Sequence, residues 1–248
     1  MSFIDDLYSF LEAERIDLEV PKANTLAMSF VEITRYRRFL GIIRLRHDSN
    51  NTVVRETTDR MLASFVAPPG GGILTPEQQQ MIEDQGEATL VAHLDVESFY
   101  LFAKILFDKV AHSLEYYFGT VRKRPLVSHD NLVKNWPEFS KQKGIVTPIE
   151  FLQCAERLKA AISDHRDYYI AHQLSPRAIR STVMNPDEGS RIATGFLYPT
   201  KSDKAAQTEP LPLLEKLIDE YLHSFIGLLT SQRDKSQLRP SNKGGANH

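Results

Sequence analysis

Apolar side chains recur at helical spacing along most of this chain and seldom alternate. Phe3, Leu7, Phe10 and Leu11 predict a short helix over 3–13. Leu26, Phe30, Ile33, Leu40 and Ile43 predict a second, capped at Asn24 or Thr25 and reaching about Leu45. Thr75-Pro76-Glu77 restarts a helix, with a capping residue and proline at the first position. From Asp95, read as a cap, Phe99, Phe102, Ile105, Leu106, Val110, Leu114 and Phe118 form a wide apolar band that predicts a central core helix, ended by Gly119. Thr147-Pro148-Ile149-Glu150 carries both halves of a capping box and opens a further helix, and Leu211 to Leu229 predicts the last.

Between these runs the pattern is weaker. Arg122 to Lys143 reads as a lysine-rich, proline-containing connection, and Arg191 to Pro199 as one short strand or an extended loop. Pro68-Pro69-Gly70-Gly71-Gly72 reads as a flexible loop near 67–75, because proline breaks helices and glycine loses the most entropy on ordering. It lacks the lysine and hydroxyl residue of a phosphate-cradling loop. The polar residues 235–248 predict a disordered tail. The expected fold is all-α, a bundle of about six helices with little or no strand, in one domain over 1–234.

Charge removes some function classes. Thirty basic against 32 acidic side chains give a net charge of −2, so no general attraction to nucleic acid or lipid is present. A local patch is needed, and Arg35, Arg37, Arg38, Arg44 and Arg46 on the second helix form the most basic stretch. They read either as a solvated face or as an RNA-contacting one. Cys154 is the single cysteine, which excludes an intramolecular disulfide and fits a reducing compartment. The acidic opening MSFIDDLYSFLEAER does not read as a signal peptide, and no run approaches the roughly 20 apolar residues of a membrane span. A cytoplasmic protein that does not engage membranes is expected.

The Thr147 helix holds an anomaly. Its inward stripe runs Phe151, Ala155, Leu158, Ile162, His165, Tyr169, His172, so a core-facing face turns polar in its last two turns. Burying such groups without partners costs about 1–3 kcal/mol each, so they need partners or a wet cleft. A histidine on an apolar face is most often a satisfied core residue, but here Arg166 and Asp167 stand among two histidines.

RDYYIAH, residues 166–172, resembles the motif of the HEPN superfamily, helical proteins defined by an arginine, a polar residue, three to five further residues and a histidine. Arg166, Asp167 and His172 match these positions. Ala171 is similar to some bacterial members of toxin or abortive-infection type, whereas Leu174 departs from members with a tyrosine two residues after the histidine. The resemblance implies metal-independent RNA cleavage without a cofactor, in which the ribose 2′-hydroxyl attacks the adjacent phosphate. His172 would act as general acid or base, Arg166 would stabilise the phosphorane, and Asp167 would orient either one. His165 and Tyr169 are the candidates to contact substrate.

On an ideal helix Arg166 and His172 stand about 120° apart with about 9 Å of rise. Both reach one phosphate only if the helix distorts, the arginine swings round, or a second copy completes the site. The resemblance therefore implies a homodimer, with RNA or a nucleotide as ligand and an antitoxin as a further candidate partner. Two alternatives stand beside it. One keeps the fold without catalysis, as a nucleotide-binding, RNA-binding or protein-interaction module. The other is a metal site of Asp164, His165 and His172 with help from His112, although His165 and His172 are roughly 10 Å apart along the helix axis.

Overall fold

Thr75 begins one of the two longest helices as its sequence predicts: its hydroxyl accepts from the Gln78 amide at 3.2 Å while the Gln78 side chain accepts from the Thr75 amide at 2.9 Å. This reciprocal pair satisfies two amides that a helix start leaves open. Thr75→Ala is expected to lower stability by about 1 kcal/mol, read as a shift in the midpoint of chemical denaturation without a change in its slope.

The computed structural model describes residues 3–64, 75–163, 177–185, 189–197 and 211–239. Six α-helices lie among them: α1 (Phe3–Asp17), α2 (Val20–Ser64), α3 (Pro76–Phe118), α4 (His129–Lys143), α5 (Ile149–Leu158) and α6 (Leu211–Ser231). The fold class is all-α. A π-helical turn, Lys159–Ser163, follows α5, and a 3-10 turn, Arg233–Lys235, follows α6. Strands β1 (Arg177–Asn185) and β2 (Gly189–Leu197) pair as an antiparallel hairpin, with Arg177 opposite Leu197 and Asn185 opposite Gly189. The short strand read at 191–199 thus has a partner just before it. The loop near 67–75, apart from Thr75, and the residues after Arg239 lie outside the described residues.

Contacts divide the chain into two compact units. The first holds α1, α2 to Leu40, α3 from Leu101, α4, α5, the π turn and α6 from Pro212. Its core is aromatic: Phe30 stacks on Phe225 at 5.7 Å, Trp136 on Phe139 at 5.4 Å and Phe151 on Tyr221 at 5.5 Å. The second holds α2 from Gly41, α3 to Tyr100 and the hairpin. There Ile43, Ala92, Val96 and Phe99 are buried together with polar pairs, such as Gln85 donating to Thr58 at 2.6 Å.

Several boundaries differ from the sequence reading, each for a physical reason. Neither Asn24 nor Thr25 caps α2; the Thr25 hydroxyl donates to the Pro21 carbonyl within a helix that has already begun. α2 continues past Leu45 because polar contacts replace the apolar stripe there. Asp95 is no cap but an interior residue of α3, fully buried, where its carboxylate accepts from Arg46 and, at 3.1 Å, from Asn50. Thr147 does not cap α5 either. Its hydroxyl accepts from the Trp136 indole at 2.9 Å, and Pro148 stands at the helix start without a side-chain cap.

The Arg122–Lys143 connection is largely α4, which starts at Ser128, whose hydroxyl accepts from the Asn131 amide, and ends on Gly144 at φ 64. Pro137 lies inside it, but Leu132, Trp136 and Phe139 turn a buried face to the core. Gly119 ends α3 at φ 83, a left-handed position where a side chain would also run into Gln237. The segment from Lys235, read as the start of a disordered tail, is anchored as far as Arg239. Gln237 donates to the carbonyls of Tyr117 (3.0 Å) and Tyr116 (2.7 Å), satisfying open groups at the end of α3. Arg233 and Arg239 share Glu14 and Asp17 on α1.

Candidate functional site

α5 and the π turn carry the stripe that leads, in sequence, to the arginine-histidine motif. Phe151, Ala155, Leu158 and Ile162 are all fully buried, so the apolar half of that stripe faces the core as its spacing predicts. The helix does not stay ideal: at Lys159–Ser163 its hydrogen bonds widen to π geometry, an insertion often found at functional positions. Arg166, Asp167, His172, His165 and Tyr169 lie outside the described residues, as does Asp164.

Around this turn the first unit holds an ionic network, buried at Lys104 and partly exposed at its other members, that the sequence reading missed. Lys104 of α3 is almost wholly buried and donates to Asp130 at 2.8 Å, with Asp108 at 3.4 Å. Lys159 on the π turn lies 3.8 Å from Asp130. Asp108 accepts from the His129 amide at 2.8 Å, so two carboxylates meet the start of α4, where the helix dipole favours negative charge. Two lysines against two aspartates leave the network neutral. Burial pushes the Asp130 carboxyl up, but the hydrogen bond and charge of Lys104, with Lys159, outweigh this and hold it below its ordinary value.

His129 sits beside the network without joining it. Its ring lies 4.9 Å from Phe107 and 5.6 Å from Tyr221, it is fully buried, and neither ring nitrogen has a hydrogen-bond partner among the described residues. Burial first, then the charge of Lys104, lowers its pKa to about 3. The imidazole is therefore neutral at physiological pH and reaches no solvent, which excludes it as a proton carrier. The Tyr221 hydroxyl is also buried without a hydrogen-bond partner among the described residues, and burial raises its pKa well above the usual value. Cys154 is half-buried on α5; burial, then Glu220, pushes its thiol up, away from the reactive thiolate. The network fixes the π turn against α3 and α4.

One signal for it was in the sequence: Lys104 interrupts the stripe Tyr100, Lys104, Phe107, Ala111, and a lysine inside an apolar band asks for a carboxylate. His129 gave none, since Arg122 and Arg124, at motif-like distances before it, lie on the loop ahead of α4.

The arginine stretch of α2 is largely neutralised. Arg35 pairs with Glu32 at 2.9 Å and lies over the Tyr36 ring. Arg37 is held by Glu215 at 2.9 Å and by both oxygens of Asp219, at 2.5 and 2.8 Å. Arg44 pairs with Asp48 at 2.5 Å and Arg46 with Asp95, while Arg38 is exposed. Among the described residues no group of three or more histidine, cysteine, aspartate or glutamate side chains is placed to hold a metal ion; His112 is exposed on α3. No helix among them is long and apolar enough to cross a membrane.

Fold and network together define an all-α helical protein with a half-buried ionic joint at the turn that precedes, in sequence, its arginine-histidine motif. Comparisons with protein-family models, with curated proteins and with solved structures find no match.

Proposed function

We propose that this chain is a cytoplasmic, metal-independent endoribonuclease of HEPN type, similar to bacterial toxins of that superfamily and active as a homodimer. His172 moves the proton of the 2′-hydroxyl or of the leaving oxygen, Arg166 holds the phosphate oxygens, and Asp167 orients one of them. The observation that carries this reading is the course of α5. Its stripe is fully buried through Ile162, and its last described turn leaves ideal helical geometry directly before Arg166. That distorted turn is of the kind found at functional positions.

RNA incubated with the protein in EDTA tests it. Wild type is expected to degrade the RNA and His172→Ala to leave it intact; two equally inert proteins would end the enzyme reading.

One observation favours a second reading, a non-catalytic dimer that binds RNA, a nucleotide or a protein partner. Arg35, Arg37, Arg44 and Arg46 are committed to acids of the same chain, so the most basic stretch of the sequence offers little free charge to a polyanion.

A further inference from the structure

The arginines of α2 are engaged by acids of their own chain, but the first unit carries a second basic surface whose cations are not. Between Gly119 and Thr147 stand Arg122, Lys123, Arg124, Lys134, Lys141 and Lys143, against Asp130 and Glu138. Asp130 is already engaged by Lys104 and Lys159. None of the six cations forms an ion pair among the described residues. Arg122, Lys123, Lys134 and Lys141 are exposed, and Arg124 and Lys143 are half-buried.

The fold gathers these charges. The Arg124 amide donates to the Val121 carbonyl at 3.0 Å, closing a tight turn with Arg122 and Lys123 at its tip. Lys123 is the one non-glycine residue at positive φ among the described residues, at 64°, a conformation that glycine or asparagine adopts at lower cost. The Asn135 side chain donates to the Pro125 carbonyl at 2.8 Å, which holds the turn against α4 one residue from Lys134. At the other end of α4, Lys143 reaches back to α3, where its Nζ would lie 2.9 Å from a Cβ at Gly119, three residues before Arg122. Lys134 and Lys141 are two helical turns apart on the outer face of α4, with Glu138 between them. Glu115, the acid of α3 beside the turn, accepts from the Leu126 amide at 3.3 Å. Six cations against Glu115 and Glu138 leave this surface positive.

We propose that the Arg122–Arg124 turn and the adjoining lysines of α4 bind the phosphate backbone of an RNA strand. Arginine and lysine keep their charge throughout the physiological range, so the surface needs no particular protonation state. An open surface suits a backbone, whose phosphates line the outside of the strand, and contacts to them carry affinity without reading sequence. The proposal rests on the RNA reading above and adds where the strand is held, so binding here and cleavage at the motif are separable.

Fluorescence anisotropy of a labelled single-stranded oligouridine tests this on the full chain, in the His172→Ala background so that the strand stays intact. Circular dichroism checks the fold of each variant. Binding is expected to weaken with salt, with a slope of about −0.7 in log affinity against log salt for each phosphate contacted. Replacing Arg122, Lys123 and Arg124 together by glutamine is expected to flatten that slope by about 2 and to weaken binding roughly tenfold or more. Replacing the paired arginines Arg35 and Arg44 by glutamine is expected to change neither. No measurable binding at low salt, an unaltered slope in the triple variant, or an equal loss in the α2 variant overturns the proposal. So does a preference for phosphatidylserine vesicles over the oligonucleotide, which would assign the surface to a membrane. RNA cleavage at the wild-type rate and KM in the triple variant would sink this surface and leave the nuclease reading standing; binding that depends on the turn, without any cleavage, would do the reverse.

Discussion

Replacing His172 by alanine is expected to slow RNA cleavage by roughly 10²–10⁴-fold, the usual worth of one positioned general acid or base. Single-turnover rates in EDTA measure it, and unchanged helical circular dichroism separates lost chemistry from lost fold. The rate in wild type is expected to vary with pH around neutrality, where an imidazole changes charge, and this dependence is expected to vanish in the variant. Arg166→Lys is expected to lose most of the activity although it keeps the charge. A lysine ammonium offers a point charge in place of the planar fork that spans two phosphate oxygens, and charge building on those oxygens in the transition state is what the fork must meet.

Acid is expected to destabilise the fold through His129. In the unfolded chain an imidazole takes up a proton as the pH falls through about 6.5. In the folded protein burial and Lys104 delay that uptake to about 3. Between these values the unfolded state binds the extra proton, so His129's contribution is complete above pH 6.5 and declines as the pH falls toward 3. From pH 7 to pH 4 the loss amounts to about 3 kcal/mol. Asp130 adds to it lower down, because its carboxyl is also held below its ordinary value. Urea denaturation at both pH values measures the effect. His129→Leu, which keeps an apolar group between Phe107 and Tyr221, is expected to remove most of the difference; an undiminished pH dependence in that variant would assign the loss to other groups.

Much of the architecture was legible where apolar spacing ran unbroken. The α5 stripe through Ile162, the cap at Thr75, the end of α3 at Gly119 and the extent of α6 all follow from residue type and period. The boundaries that went astray are places where a polar residue serves a distant partner. Asp95 and Thr147 have the chemistry of caps, and only the fold decides that Arg46 and Trp136 claim them instead. α4 was hidden by lysines and by Pro137, because Leu132, Trp136 and Phe139 are too few to outweigh them in a local window.

The same holds for charge. Arg37 meets Asp219 only because α2 and α6 run together, a contact 182 positions apart in sequence, so the basic stretch could not be seen as neutralised from its own composition. Of the site, the apolar stripe that leads in sequence to the motif was legible and the ionic joint at the π turn was not. His129 becomes distinctive only once Phe107 and Tyr221 surround it.

The most direct test of the central claim is the chemistry of the cleaved end. The wild-type protein, stripped of metal with EDTA, is offered a short single-stranded RNA and the same strand carrying 2′-deoxyribose at the position that is cut. Attack by the 2′-hydroxyl predicts a 2′,3′-cyclic phosphate on the RNA product and an intact deoxy-substituted bond. Cleavage of the deoxy-substituted strand, or cleavage that survives in the Arg166→Ala and His172→Ala variants, would contradict it.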